Sequence, residues 1–156
     1  MNKIQRILCP TDLSPASLAV LQHAVEIARH FNAQVFVLYV VPTLPPEAGE
    51  LSFYPSRAVL EYMTNFRVAA DKRIDQLLEE RIFKNIKVSK VLKEGDAASE
   101  ILKAIDSLQI DLVTIATHGR TGWQRFALGS VAEKVVRISK VPVLTVRAAA
   151  GERNKQ

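Results

Sequence analysis

Residues 111–139 read DLVTIATHGRTGWQRFALGSVAEKVVRIS. An apolar, partly β-branched run comes first, then a loop with three glycines, then a helical pattern. Asp111–Ala116 has the length and character of a strand. From Ser130 to Ser139 the apolar residues Val131, Val135 and Ile138 fall on one face of a helix. Between them lie Gly119, Gly122 and Gly129, three of the six glycines in the chain. Strand, glycine loop and helix in this order belong to an α/β architecture.

Outward from this stretch the same alternation continues in both directions. Ile4–Cys9 reads as the first strand. Ser14 is a natural N-cap with Pro15 at the first helical position, and Leu18, Leu21, Val25 and Ala28 mark a helix over Pro15–Phe31. Gln34–Val41 (QVFVLYVV) is apolar on both parities, as a strand covered on both faces requires, which puts Tyr39 in the core. Pro42–Arg57 contains Pro42, Pro45, Pro46, Gly49 and Pro55 and reads as a long loop or lid. Leu60, Met63, Ala70, Ile74 and Leu77 predict a helix over Ala58–Phe83, and Lys87–Leu92 a third strand. Gly95-Asp96 then breaks the chain before a helix carrying Ile101, Leu102, Ile105 and Leu108. Val143–Arg147 is the fifth strand.

Strands that alternate with helices imply right-handed crossovers and a parallel sheet with helices on both faces. Ligands of such sheets bind beyond the carboxyl ends of the strands, where the strand order reverses. The turns after strands one and four must then be neighbours, which predicts the order 3-2-1-4-5. Pro10-Thr11-Asp12, Val41-Pro42, Lys93-Glu94-Gly95 and the residues from Thr117 onward become the candidate ligand turns.

With 156 residues, 48% hydrophobic and 24% charged, the chain fits one ordinary globular domain. No apolar run approaches the roughly 18 residues of a membrane span. The first residues lack the apolar core of a secretory signal, so the expected compartment is the cytoplasm. Cys9, the one cysteine, excludes an internal disulfide and, set in an apolar strand, reads as a buried inert thiol. The three histidines are scattered, which argues against a metal site made of protein ligands. The net charge of +5 is spread along the chain among Glu and Asp. That pattern argues against nucleic acid as a partner and suits a small anionic ligand.

Gly129-Ser130 directly precedes the helical pattern, and a helix N-terminus offers open N–H groups and a positive dipole end to a phosphate. Arg120 and Arg125 add positive charge to the same loop. The loop is not a P-loop, because no Gly-Lys-Ser/Thr follows its glycines. Nor is it a dinucleotide fingerprint, since its glycine spacing differs and it follows the fourth strand. On local pattern alone, a tight turn plus a helix cap accounts for the same residues, just as Asp12 and Ser14 alone read as turn and cap. Trp123 and Phe126 read as packing groups.

The order Ala116-Thr117-His118-Gly119, nine residues, Gly129-Ser130 is similar to the Gly-x2-Gly-x9-Gly-Ser signature of universal stress proteins. The opening RILCPTDLS and the ending KVPVLTVR also resemble that family, and Gly95-Asp96 falls where it turns into its third helix. The resemblance covers the chain to Arg147, giving a domain over 1–147 and a polar tail over 148–156. It implies an adenine nucleotide alpha hydrolase-like fold and bound ATP, AMP or ADP, with Mg2+ carried on the phosphates. By motif position, Asp12 and the backbone around Val40 hold the adenine and ribose, with Pro10 and Thr11 shaping that end. Gly119, Arg120, Gly129, Ser130 and Val131 surround the phosphates, with Ala116 and His118 beside them. The resemblance also implies a homodimer through the last strand. Ala116 departs from the motif, which has glycine there. No general base with an orienting partner is legible, so the expected role is regulatory, without fast catalysis. A dimeric interaction module that binds no nucleotide, and a slow ATPase, are the other functions this pattern admits.

Overall fold

β1 (Arg6–Pro10) is the centre of a five-stranded sheet in the order β3-β2-β1-β4-β5. The computed structural model of the chain describes residues 3–43, 57–117 and 128–147. Along the chain follow α1 (Pro15–Phe31), β2 (Gln34–Val41), α2 (Arg57–Leu78), β3 (Lys87–Glu94), α3 (Ala97–Ser107), β4 (Leu112–Ala116), α4 (Ser130–Ile138) and β5 (Val143–Val146). Every neighbouring pair is parallel, so the expected architecture and strand order are observed. Most of the lid segment and the tail lie outside the described residues, as do His118, Gly119 and Arg120.

Side chains alternate across the sheet and sort into two cores. Ile7, Cys9, Val35, Val37 and Tyr39 pack with α1 and α2. Leu8, Phe36, Leu38, Val113 and Ile115 pack with α3 and α4. β1 and β2 are therefore buried on both faces, which is why their sequences are apolar at both parities. Burial pushes the Cys9 thiol up to about 12, with the Thr114 hydroxyl beside it offsetting little of that rise. The thiolate is suppressed, and with it nucleophilic reactivity.

The start of α1 follows the expected chemistry. Ser14 Oγ accepts a hydrogen bond from the Ser17 N–H at 3.3 Å, and Pro15 occupies the first helical position. α2 departs from expectation, ending at Leu78 and giving way to a 3-10 turn over Arg81–Phe83. An unbroken helix would carry Phe83 about 140° away from the stripe of Ala70, Ile74 and Leu77. The break instead folds Phe83 into the first core, where it is 5% exposed. Asp111 lies just before β4, where its Oδ2 accepts the N–H groups of Gln5 and Arg6, each at 2.9 Å.

Gly95 adopts φ +140 at the turn between β3 and α3, a conformation that favours glycine. Asp96 then caps α3, accepting from the Ser99 N–H at 3.0 Å, and Lys134 of α4 reaches the same carboxylate at 3.1 Å. Hydrogen bonds from the Ser99 hydroxyl, Lys134 and the Ser99 N–H lower its pKa from 3.8 to about 2. The folded-state value lies below the unfolded one. The group therefore stabilises the fold above about pH 4 and loses that contribution as pH falls toward about 2. Asp96→Ala is expected to cost about 1 kcal/mol at neutral pH. Urea unfolding of the two proteins checks this, and their stabilities should converge in acid.

Candidate functional site

A cleft of about 420 Å³ opens at the carboxyl ends of the strands. Pro10, Thr11 and Asp12 from the end of β1 and Val40 from β2 stand in its wall together with Ala116 from β4 and Gly129, Ser130 and Val131 from α4. Eight of the eleven residues singled out from the sequence are thus brought together; the other three are those outside the described residues. β1 and β4 are adjacent, and the chain leaves them toward opposite faces, α1 on one and α4 on the other. That divergence opens the cleft.

Thr11 is anchored on three sides. Its N–H donates to the Leu38 carbonyl at 2.8 Å, its hydroxyl accepts from the Leu13 N–H at 3.0 Å, and it shares a hydrogen bond with the Ser17 hydroxyl at 2.9 Å. These bonds hold Leu13 at φ 62, an uncommon conformation for leucine. Asp12 Oδ1 accepts from the Ser14 N–H at 3.0 Å. The turn is therefore rigid, and it places the one carboxylate found among the described lining residues.

Val40 lines the cleft, and its backbone has an open edge there. In a parallel ladder the N–H and C=O of one residue face the same neighbour, and successive residues alternate. Leu38 faces β1, since its carbonyl accepts from Thr11. Val41 faces the β3 side, since its carbonyl accepts from Gly95 at 3.0 Å. Val40 accordingly faces the β1 side, but the β1 ladder has ended at the Pro10–Leu38 pair. No backbone hydrogen bond from the described residues meets it there. One donor and one acceptor stand side by side at the cleft.

Across the cleft, α4 begins with Gly129 as N-cap and no side-chain capping bond. Ser130, Val131 and Ala132, its first three residues, line the cleft, and N–H groups in a first helical turn have no intrahelical partner. The Gly129 N–H donates to the Thr117 carbonyl at 2.7 Å, which ties the end of the excursion after β4 back to its beginning. Gly129 has φ −60 and ψ 148, and Ala116 is an ordinary strand residue paired with Val146. Neither position needs positive φ. A side chain at either one acts through the space it takes, and the methyl of Ala116 brings no backbone strain.

Phe66 of α2 and Ala97 and Ile101 of α3 also line the cleft, and sequence reading did not single them out for the site. Phe66 and Ile101 sit at core spacing in their helices, and nothing in a helical repeat marks which turn reaches the sheet's end. Ser17 was likewise passed over, although the spacing from Thr11 through Ser14 is that of a cap network. Among the described residues no group of three or more His, Cys, Asp or Glu side chains is placed to hold a metal ion. No helix among them is long and apolar enough to cross a membrane.

Comparison with known proteins agrees with this architecture. The chain is 33% identical over 150 residues to a universal stress protein of Methanocaldococcus jannaschii, covering 94% of this chain and 84% of the relative. A universal stress protein from Lactobacillus plantarum superposes with a TM-score of 0.77 at 23% identity, covering 94% of this chain and 100% of that one. A family protein of Arabidopsis thaliana, solved with AMP bound, superposes with a TM-score of 0.62 at 15% identity, over 94% of this chain and 93% of that one. The model of the universal stress protein family matches residues 3–147, and the chain belongs to that family.

Proposed function

We propose that this protein binds an adenine nucleotide, ATP in its working state, across the ends of β1 and β4. In this reading it serves as a dimeric regulatory domain without fast catalysis. The observation that carries the reading is the backbone edge of Val40. Adenine offers an amino donor and a ring-nitrogen acceptor side by side, the complement of one C=O and one N–H on a strand edge. Asp12 lies on the path from that edge toward β4 and takes the ribose hydroxyls. The phosphates reach the first turn of α4, where the N–H groups of Ser130 and Val131 and the dipole favour negative charge. The AMP bound by the Arabidopsis relative is consistent with this ligand class.

Mg2+ fits this arrangement as a companion of the phosphates, since Mg2+ is usually held by phosphate oxygens, waters and one or two carboxylates. Bound there it would neutralise phosphate charge. Asp12 is the carboxylate among the described lining residues.

Mass spectrometry of small molecules retained on purification, followed by calorimetric titration with magnesium-ATP, tests the reading. A protein that retains no nucleotide and shows no heat with ATP, ADP or AMP is an interaction module instead. Phosphate release well above background would make it an ATPase. Val40→Pro probes the base edge directly, because the ladder to β3 uses the residues on either side and not the Val40 N–H. Losing that donor should weaken ATP binding about tenfold, while far-UV circular dichroism stays that of the wild type.

A further inference from the structure

We propose that the free edge of β3 is a docking site for an extended acidic segment of a partner protein, which joins the sheet as an added strand. No residue of β3 lines the cleft, so this role is independent of the ligand there. β3 pairs with β2 along all eight of its residues and, among the described residues, with nothing on its other side. The Gly95 N–H donates to the Val41 carbonyl at 3.0 Å, so Gly95 faces β2. By alternation Val88, Lys90 and Leu92 turn their N–H and C=O outward. Each offers a donor and an acceptor to the open edge, which a second extended chain satisfies.

Charge selects the segment. Edge strands commonly use lysine to repel other strands, and β3 carries Lys87, Lys90 and Lys93. Lys90 is drawn off the edge, because its ammonium lies against α2, 2.8 Å from Asp71 and 2.5 Å from Asp75. Its neighbours on that face, Val88 and Leu92, are half-buried against the first core. Lys87 and Lys93 stand on the opposite face with Val91, which packs with the α3–α4 core. Both are exposed, and neither has an ion pair among the described residues. The carboxylates of α3 and its cap do not serve them, since Asp96, Glu100 and Asp106 are paired with Lys134, Lys103 and Lys140. A second copy of β3 would double the unpaired lysines on one face, which like charges oppose. The fitting partner instead carries carboxylates at the spacing of Lys87 and Lys93, with apolar side chains opposite Val88 and Leu92.

The probe is the peptide Asp-Val-Thr-Thr-Thr-Val-Asp, which matches residues 87–93 in antiparallel register, read by amide NMR on the full chain. The Val88, Lys90 and Leu92 amide signals should move on binding, and their hydrogen exchange should slow. N-methylation of the second, fourth and sixth peptide residues removes the donors that face β3 and should abolish binding. Reversing both charges, Lys87→Glu with Lys93→Glu, alters exposed side chains only and should weaken the acidic peptide about tenfold. The same peptide with lysine at each end, which wild type should reject, should then bind the reversed variant. The proposal is overturned if the acidic peptide leaves those amides unmoved, if the N-methylated peptide binds equally, or if charge reversal does not exchange the preference. Protection of the same amides that rises with protein concentration alone would mean that a second copy covers the edge, and overturns it too.

Discussion

Gly129→Val is expected to lower ATP affinity by at least about a hundredfold while leaving the fold in place. The backbone explains the second half. With φ −60 and ψ 148, Gly129 occupies extended space that valine enters freely. The N–H that bonds the Thr117 carbonyl at 2.7 Å is kept. What remains is a poor N-cap, a cost of about 1 kcal/mol. The first half is steric. An isopropyl group beside the open N–H groups of Ser130 and Val131 occupies the volume a phosphate needs at a helix N-terminus. Ser130→Ala removes one hydroxyl and should cost only about fivefold. Ala116→Gly should bind equally or more tightly, since it removes a methyl without relieving any strain. Titration of the three variants with magnesium-ATP, with circular dichroism as the control, orders these effects. If Gly129→Val binds like wild type, the anion seat lies elsewhere.

The parts of this site that sequence made legible are those written in local chemistry. Ser14 and Pro15 announced the start of α1, Gly95-Asp96 the start of α3, and strict alternation the parallel sheet. The end of α2 was hidden because no glycine or proline marks it, while Phe83, off the helical stripe, owes its burial to the core it folds back into. Val40 came to notice only through the family resemblance. Its reason, a strand outlasting its neighbour by a few residues, is a matter of register between β1 and β2. Phe66 falls within the apolar repeat of α2, and it packs against the core. Its place in the cleft wall depends on how high α2 rides over the sheet, which a helical repeat does not record. Ala116 has ordinary strand geometry in the ladder to Val146, so its departure from the motif glycine is a matter of space alone.

The other large effect is expected at the opposite edge, where Thr145→Pro should convert a dimer into a monomer. β5 is the last strand of the sheet and pairs only with β4 among the described residues. The Pro142 and Val146 carbonyls accept from the Val113 and Thr117 N–H groups, at 3.0 and 3.1 Å, so by alternation Val143 and Thr145 turn their N–H and C=O outward. Beside this row Val136, Ile138 and Leu144 are 45%, 48% and 38% exposed. An unpaired edge flanked by apolar side chains is a template for another strand. A second copy of β5 running antiparallel across a two-fold axis would satisfy both rows at once. Proline at 145 leaves the β4 ladder untouched, because that residue bonds outward, and edge strands accept proline on the solvent side. In the dimer it deletes a donor from each copy and puts a ring between the strands, which should weaken association by about a hundredfold or more. Sedimentation equilibrium at micromolar concentration reads the result directly. A wild-type monomer, or a Thr145→Pro protein that stays dimeric, would mean that β5 is covered by something other than its own copy.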